Sequence, residues 1–322
     1  METRAKSATA IRNAKHIYLI RTPENATRIV ENATPVPANE SAINGTRALP
    51  SCPPTPPNRV GLLATYKEIL SFEQLEKELK NVKNGGRFTP TECHTEQRVA
   101  VLVPYRNRLT QLRSLLHNLH SMLMKQQIDY GIFVIEQVGN ITFNRGALLN
   151  IGFVESIKAY NYNCFIFHDV DLIPEDDRIY YGCGPNPRHL VAAMDKYNYR
   201  LPYQSYFGGV SQLPRSTIEK MNGCSNLYFG WGGEDDDIYQ RVVRAGFKIE
   251  RYSKTIARYR MIKHGRDKTN AVNPKRFSLL QNTSSRMQSD GLNSLKYKLL
   301  KIEHNKLFTN ISVEVRKEDY GL

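Results

Sequence analysis

The sequence predicts an α/β fold built on a mostly parallel central sheet, and three observations predict it. Apolar runs of strand length alternate with amphipathic runs of helical length between residues 99 and 171. The runs "VAVLVP" (99–104), "YGIFVIEQ" (130–137) and "CFIFHDVD" (164–171) are apolar almost without interruption, as strands covered on both faces are. Each ends at a polar cluster, and open α/β sheets bind ligands at the carboxyl ends of their strands.

The elements follow in order. "TYKEILSFEQLEKELKNV" (65–82) reads as a short amphipathic helix stopped by Gly85 and Gly86. After the first strand, Leu109, Leu112, Leu115, Leu116, Leu119 and Leu123 recur at helical spacing over 109–126. "NRGALLNIGFVESIKAY" (144–160) is a second crossover helix. Beyond residue 200 the order is less regular, but "GWGGEDDDIYQRVVRAG" (230–246) places Ile238, Val242 and Ala245 on one helical face, with Gly246 suited to the C-cap.

The chain has 322 residues, enough for one large domain, with 24% charged residues and a net charge of +14. That excess favours an anionic partner such as a phosphorylated ligand. No zinc-finger spacing and no aromatic-rich basic motif accompanies it, so a nucleic-acid partner is not expected. No run approaches the roughly 20 apolar residues of a membrane span, and the basic start lacks the apolar core of a signal peptide. Residues 22–57 are rich in Pro, Ala, Asn, Ser and Thr and carry four glycosylation sequons, at Asn25, Asn32, Asn39 and Asn44. Three more lie at Asn140, Asn282 and Asn310. Either the chain enters a secretory lumen by an anchor outside this sequence or the sequons are idle. The five cysteines have no metal-binding spacing; two disulfides with one thiol, or five thiols, fit the count equally.

Three polar clusters fall at the strand ends. "PYRNR" (104–108) and "FNR" (143–145) are cationic, and "DVD" (169–171) is anionic. Together they suit a phosphorylated ligand held by arginines and by a metal on carboxylates. Strand alternation places Asp169 and Asp171 on one face. The EF-hand pattern is excluded, because Pro174 stands where its loop needs glycine. Four acids, Glu234 to Asp237, occupy a first helical turn, where the helix dipole favours negative charge by roughly 0.3–1 kcal/mol each. That accounts for one or two of them, not four. Trp231, the only tryptophan, lies beside Gly232 and Gly233 and reads either as a core side chain, the commoner use of a lone tryptophan, or as a stacking platform for a sugar. Met261 and His264 are three residues apart, but a thioether is a poor ligand for a hard cation, so spacing alone does not make them a metal site.

"FNRGALLNIGF", "FIFHDVDLIPEDDR", "YFGGVSQL", "FGWGGEDDDIYQR" and "MIKHGRDK", in that order, resemble the β-1,4-galactosyltransferase family of Golgi enzymes, over about residues 49–315. The resemblance implies a GT-A fold and an inverting transfer of galactose from UDP-galactose to the 4-hydroxyl of N-acetylglucosamine, with Mn2+. Carried over by position, Asp171, Met261 and His264 are the metal ligands and Asp235 is the catalytic base. Pro104, Tyr105, Arg106, Asn107, Arg108, Phe143, Asn144, Arg145, Val170, Asp171, Tyr206, Trp231, His264, Gly265 and Arg266 match donor-binding positions. Gly233, Glu234, Asp235, Asp236, Arg276 and Phe277 match acceptor positions, and "GGEDDD" resembles the N-acetylglucosamine branch where the xylose branch has "GREDDE"-like acids. The family's disulfides imply Cys52–Cys93 and Cys164–Cys183, with Cys224 left as a thiol. The resemblance further implies a stem-like, glycosylated segment over 1–57, a single catalytic domain over 58–322, residence in the Golgi lumen, a membrane anchor that this sequence does not contain, and a lid over 262–280.

Overall fold

The computed structural model describes residues 48–265 and 269–322. In chain order it contains α1 (Phe72–Glu78), β1 (Arg87–Phe88), β2 (Arg98–Tyr105), α2 (Leu109–Leu123), β3 (Asp129–Gln137), α3 (Arg145–Ala159), β4 (Cys164–His168), β5 (Leu172–Pro174), β6 (Arg188–His189), β7 (Ala193–Met194), β8 (Val210–Pro214), α4 (Arg215–Lys220), α5 (Glu234–Arg244), β9 (Glu250–Arg251), β10 (Arg258–Met261), α6 (Arg276–Gln281), α7 (Thr283–Arg286), β11 (Lys298–His304) and β12 (Thr309–Glu314). The main sheet runs β11-β12-β3-β2-β4-β8-β6-β9, with β1 also against β3. Its centre, β12-β3-β2-β4, is parallel, and β11, β8 and β1 join antiparallel. A smaller sheet, β5-β10-β7, lies beside it.

The pattern of β2 shows why the strands read as continuous apolar runs. Val99, Val101 and Val103 enter one core with Leu112, Leu115, Leu116 and Leu119 of α2. Ala100 and Leu102 enter the other with Ala147, Leu148 and Ile151 of α3. Both faces of each parallel strand are dry, so neither parity is free to be polar. The β-α-β-α-β order predicted from spacing is therefore present, with a parallel centre.

Two expectations need correction. The first helix is shorter than 65–82: Ser71 caps it with Gln74, and upstream the backbone nitrogen of Tyr66 donates to Asn118 Oδ1 (2.9 Å) instead of entering a helix. The third strand ends at His168, so Asp169 and Asp171 lie in the turn after it and not on one strand face. The disulfide question is answered by geometry: Cys52–Cys93 and Cys164–Cys183 are bonded, with Cα separations of 4.9 and 5.5 Å. Cys224 is a buried thiol, and burial pushes its pKa up to about 12. Among the described residues no helix is long and apolar enough to cross a membrane.

Candidate active site

The carboxyl ends of β2, β3 and β4 open into a cleft of about 860 Å³, a size suited to a small ligand. Of the residues singled out from the sequence, Pro104, Arg106, Arg108, Phe143, Arg145, Val170, Asp171, Tyr206, Trp231, Met261 and His264 line it, as do Gly233 to Asp236, Arg276 and Phe277. Tyr105, Asn107, Asn144 and Gly265 are not among the described lining residues. Arg266 lies outside the described residues.

Asn144 has a different task. It is fully buried, its Oδ1 accepts from Ala147 N (2.9 Å) to cap α3, and its Nδ2 donates to the Asn226 carbonyl (2.7 Å). It thereby fixes the start of α3, from which Arg145 projects. Arg145 Nε donates to Asp169 Oδ1 (2.7 Å) and its Nη1 to Asp235 Oδ1 (2.8 Å). One guanidinium thus joins the strand-end acid to the helix-start acid. Asp169 and Asp171, predicted as a pair, serve separate partners.

The row of acids at α5 divides in the same way. Gly233 precedes the helix with φ 90°, and a Cβ there would meet the Tyr228 ring at 3.0 Å and Arg276 Cβ at 3.2 Å. Glu234, Asp235 and Asp236 face the cleft, whereas Asp237 is fully buried and paired with Arg241 and Arg286. Asp235 retains 27% side-chain exposure. Burial first, then Asp169 and Asp236, raises its pKa to about 6 against the pull of Arg145. Burial and the neighbouring Asp235 carry Glu234 further, to about 8. A side chain on Gly208 would collide with the Asp235 carboxylate, so that glycine lets the acid sit against backbone.

On the other wall, Arg106 is 7% exposed, donates to the Ile141 carbonyl (2.5 Å) and stands 5.0 Å from the Phe143 ring centroid. Arg108 donates to the Gly265 carbonyl (3.2 Å). Asp171 Oδ2 lies 3.0 Å from His264 Nε2, brought together because the Ile262 nitrogen at the end of β10 donates to the Asp171 carbonyl (2.7 Å). Burial, then Asp169, raises the Asp171 pKa, and His264 lowers it. A desolvated carboxylate beside an imidazole and near a second acid favours a bound cation. Met261 lines the same corner. Among the described residues no three His, Cys, Asp or Glu side chains converge, so a carboxylate, an imidazole and a thioether are what these residues offer a divalent ion, with room for ligand oxygens and water.

Sequence reasoning missed Tyr203, whose hydroxyl donates to Asp236 Oδ1 (2.9 Å), and the lining residues Lys196, Tyr197 and Leu280. The aromatic density of "DKYNYRLPYQSY" (195–206) was the available signal. Trp231 is 60% exposed, and its backbone bonds the 262–280 segment: its nitrogen donates to Ala271 O (2.9 Å) and its carbonyl accepts from Asn273 N (3.0 Å).

Comparison with known proteins adds to this geometry. Residues 52–184 match the family model described as the N-terminal region of glycosyl transferase group 7, and residues 188–265 match the N-terminal domain of galactosyltransferase. The chain is 51% identical to β-1,4-galactosyltransferase 2 of Cricetulus griseus over 269 residues, covering 83% of this chain and 73% of that protein. It is 47% identical to β-1,4-galactosyltransferase 1 of Homo sapiens over 269 residues, covering 83% and 68%. Among solved structures it is similar to the catalytic domain of Drosophila β1,4-galactosyltransferase 7 in complex with xylobiose, with a TM-score of 0.59, 30% identity and coverage of 68% of this chain and 94% of that one. A mutant of that enzyme in complex with manganese, UDP-Gal and xylobiose has a TM-score of 0.58 at the same identity and coverage.

Proposed function

This chain belongs to the β-1,4-galactosyltransferase family, and we propose that it moves galactose from UDP-galactose to the 4-hydroxyl of a terminal N-acetylglucosamine, inverting the anomeric centre. The observation that carries the proposal is the Asp235 carboxylate, held by Arg145 between a cationic wall and the surface of Gly233, Arg276 and Phe277. With its pKa near 6, Asp235 is ionised at neutral pH and takes the proton of the attacking hydroxyl. The new O4–C1 bond forms as the C1–O bond to UDP breaks, with no protein nucleophile. Glu234, whose pKa burial and the neighbouring Asp235 raise, and Asp236 bind acceptor hydroxyls. Arg106 and Arg108 face the donor diphosphate. Asp171, His264 and Met261 would hold Mn2+, which supplies Lewis-acid stabilisation of the departing UDP.

Two features weigh against the xylose branch. Gly233 matches a position where that branch has arginine-containing "GREDDE"-like sequence, and here its φ of 90° and the approach of Tyr228 (3.0 Å) and Arg276 (3.2 Å) to a Cβ disfavour a side chain. Identity to the enzyme solved with xylobiose is 30%, against 51% to the galactosyltransferase 2 sequence. We read residues 58–322 as a single catalytic domain acting in the Golgi lumen, with Cys52 tied to it through Cys93; of the stem-like segment expected over 1–57, residues 1–47 lie outside the described residues. Crossing UDP-galactose and UDP-N-acetylgalactosamine with N-acetylglucosamine, glucose and xylose acceptors tests the reading. A preference for xylose overturns the acceptor.

Donor choice rests on Tyr206. Its ring stands edge-on to His189 (centroids 5.3 Å apart) and Tyr203 (5.5 Å), and its carbonyl accepts from Arg251 (2.9 Å). By family resemblance this position lies near the C2 substituent of the donor sugar, and a ring held on two sides resists a bulkier group there at a cost of roughly 1–3 kcal/mol. Tyr206→Leu is expected to raise transfer from UDP-N-acetylgalactosamine relative to UDP-galactose by roughly 5- to 150-fold. An unchanged donor ratio assigns Tyr206 to packing alone.

Asp171→Ala removes the most buried of the proposed metal ligands. Manganese affinity, measured by titration with UDP present, is expected to fall by more than the roughly 10–100-fold that loss of an outer-shell partner costs. Full activity in chelator contradicts the site.

A further inference from the structure

Three sequons fall among the described residues, and the fold treats them differently. Asn310 lies in β12, between β11 and β3. Its Nδ2 donates to Glu136 Oε2 (3.2 Å) and to Ser312 Oγ (3.0 Å), so both amide hydrogens are engaged. Ser312, the sequon hydroxyl, is 8% exposed and itself donates to Glu136 (3.0 Å). A sugar on Asn310 would replace one of those hydrogens and break that network. Asn282 follows α6, with its Nδ2 on the Ser278 carbonyl (2.8 Å). The next residue, Thr283, is fully buried with its hydroxyl on Asp237 (2.7 Å), which locks the tripeptide into a helical turn.

Asn140 has none of these ties. It sits in an exposed bend between β3 and α3, and its carboxamide has no hydrogen-bond partner among the described residues. Gly139 before it has φ 89°, and a Cβ there would meet no heavy atom within 4 Å. The base of the bend is fixed: Val138 N donates to Val313 O (2.9 Å), and Gln137 Nε2 donates to Thr142 O (3.0 Å). A free amide is therefore presented to solvent on a rigid support, in an N-I-T sequon.

We propose that Asn140 is an N-glycosylation site of the folded enzyme and that Asn282 and Asn310 are not, an inference that rests on the lumenal reading above. The donor is a lipid-diphosphate-linked oligosaccharide. The bond from sugar C1 to the diphosphate oxygen breaks, C1 bonds to Asn140 Nδ2, and one amide hydrogen leaves as a proton with the diphosphate. The glycan stands beside the donor mouth, three residues before Phe143, and shields Val138, which is 39% exposed.

The test expresses two versions in eukaryotic cells, the chain as it stands and the same chain behind a cleavable signal peptide. Active protein is purified and treated with peptide N-glycosidase in heavy-oxygen water, and the peptides are mapped by mass. Label at Asn140, with none at Asn282 or Asn310, is expected, and Asn140→Gln should abolish one glycan step that Asn310→Gln leaves in place. An unlabelled Asn140 in the signal-directed chain, or a labelled Asn310 in active protein, overturns the proposal. If the signal-directed chain is labelled at Asn140 while the protein purified from its native source carries no glycan at any sequon, the choice of site stands and the lumenal reading falls.

Discussion

Asp235→Asn is expected to lower turnover by roughly 10²- to 10⁴-fold while UDP and manganese still bind. The amide keeps the shape that fits against Gly208 but cannot accept the proton of the acceptor hydroxyl. Arg145 keeps its bond to Asp169, so the wall that carries the donor residues stays in place. The same residue sets the acid limb of the wild-type profile. A raised carboxyl pKa means that the base is lost as pH falls through about 6, so kcat/KM should decline below that point and level off above it. Residual activity in the variant should lack this limb. Turnover near that of the parent, or an acid limb that survives the substitution, removes Asp235 from the role of base.

The second large effect belongs to the acid that does not face the cleft. Asp237 is fully buried, and its Oδ2 accepts from Arg241 Nε (2.5 Å). Its Oδ1 accepts from Arg286 Nη2 (2.9 Å), Thr283 Oγ1 (2.7 Å) and the Tyr228 hydroxyl (3.3 Å). Asp290 binds the same two arginines from the other side. This cluster ties α5, which presents the catalytic acids, to α7, directly after the helix of Arg276 and Phe277. Asp237→Ala leaves the buried Arg241 and the partly buried Arg286 with one carboxylate between them. Loss of one member of such a pair costs about 3–5 kcal/mol. For a domain of this size that corresponds to a fall in Tm of roughly 6–20 °C, read by thermal unfolding. An unchanged Tm means that the cluster is solvated and contributes nothing.

Asp237 shows where sequence reading reaches its limit. Four consecutive acids at a helix start are too many for the helix dipole alone, and three of them line the cleft. Helical spacing alone does not say which acids face the cleft; the family resemblance selects Glu234, Asp235 and Asp236. A helical turn separates neighbours by about 100°, so one of four must point inward, and only the position of the core decides which. The placement of Asp169 and Asp171 on one strand face failed for a related reason. Period-two alternation holds while the strand lasts, and β4 ends at His168, one residue before the first aspartate. Asn144 matches a donor-binding position of the family, and the structure shows its side chain capping α3.

From local pattern alone the sequence determined the succession of strands and helices, the parallel centre of the sheet and the three strand ends at which charged residues gather. Those features depend on periodicity within short windows, and burial on both sheet faces leaves little freedom in what such strands contain. Only the tertiary structure decided that Arg145 joins Asp169 to Asp235, positions 24 and 90 residues away, that Asp171 meets His264 across 93 residues, and that Tyr203 reaches Asp236. These contacts have no period. They arise where the ends of β2, β3 and β4, the start of α5 and the end of β10 are packed around one cleft, and the raised carboxyl pKa values exist only because that packing removes water from acids that would repel one another in the unfolded chain far less.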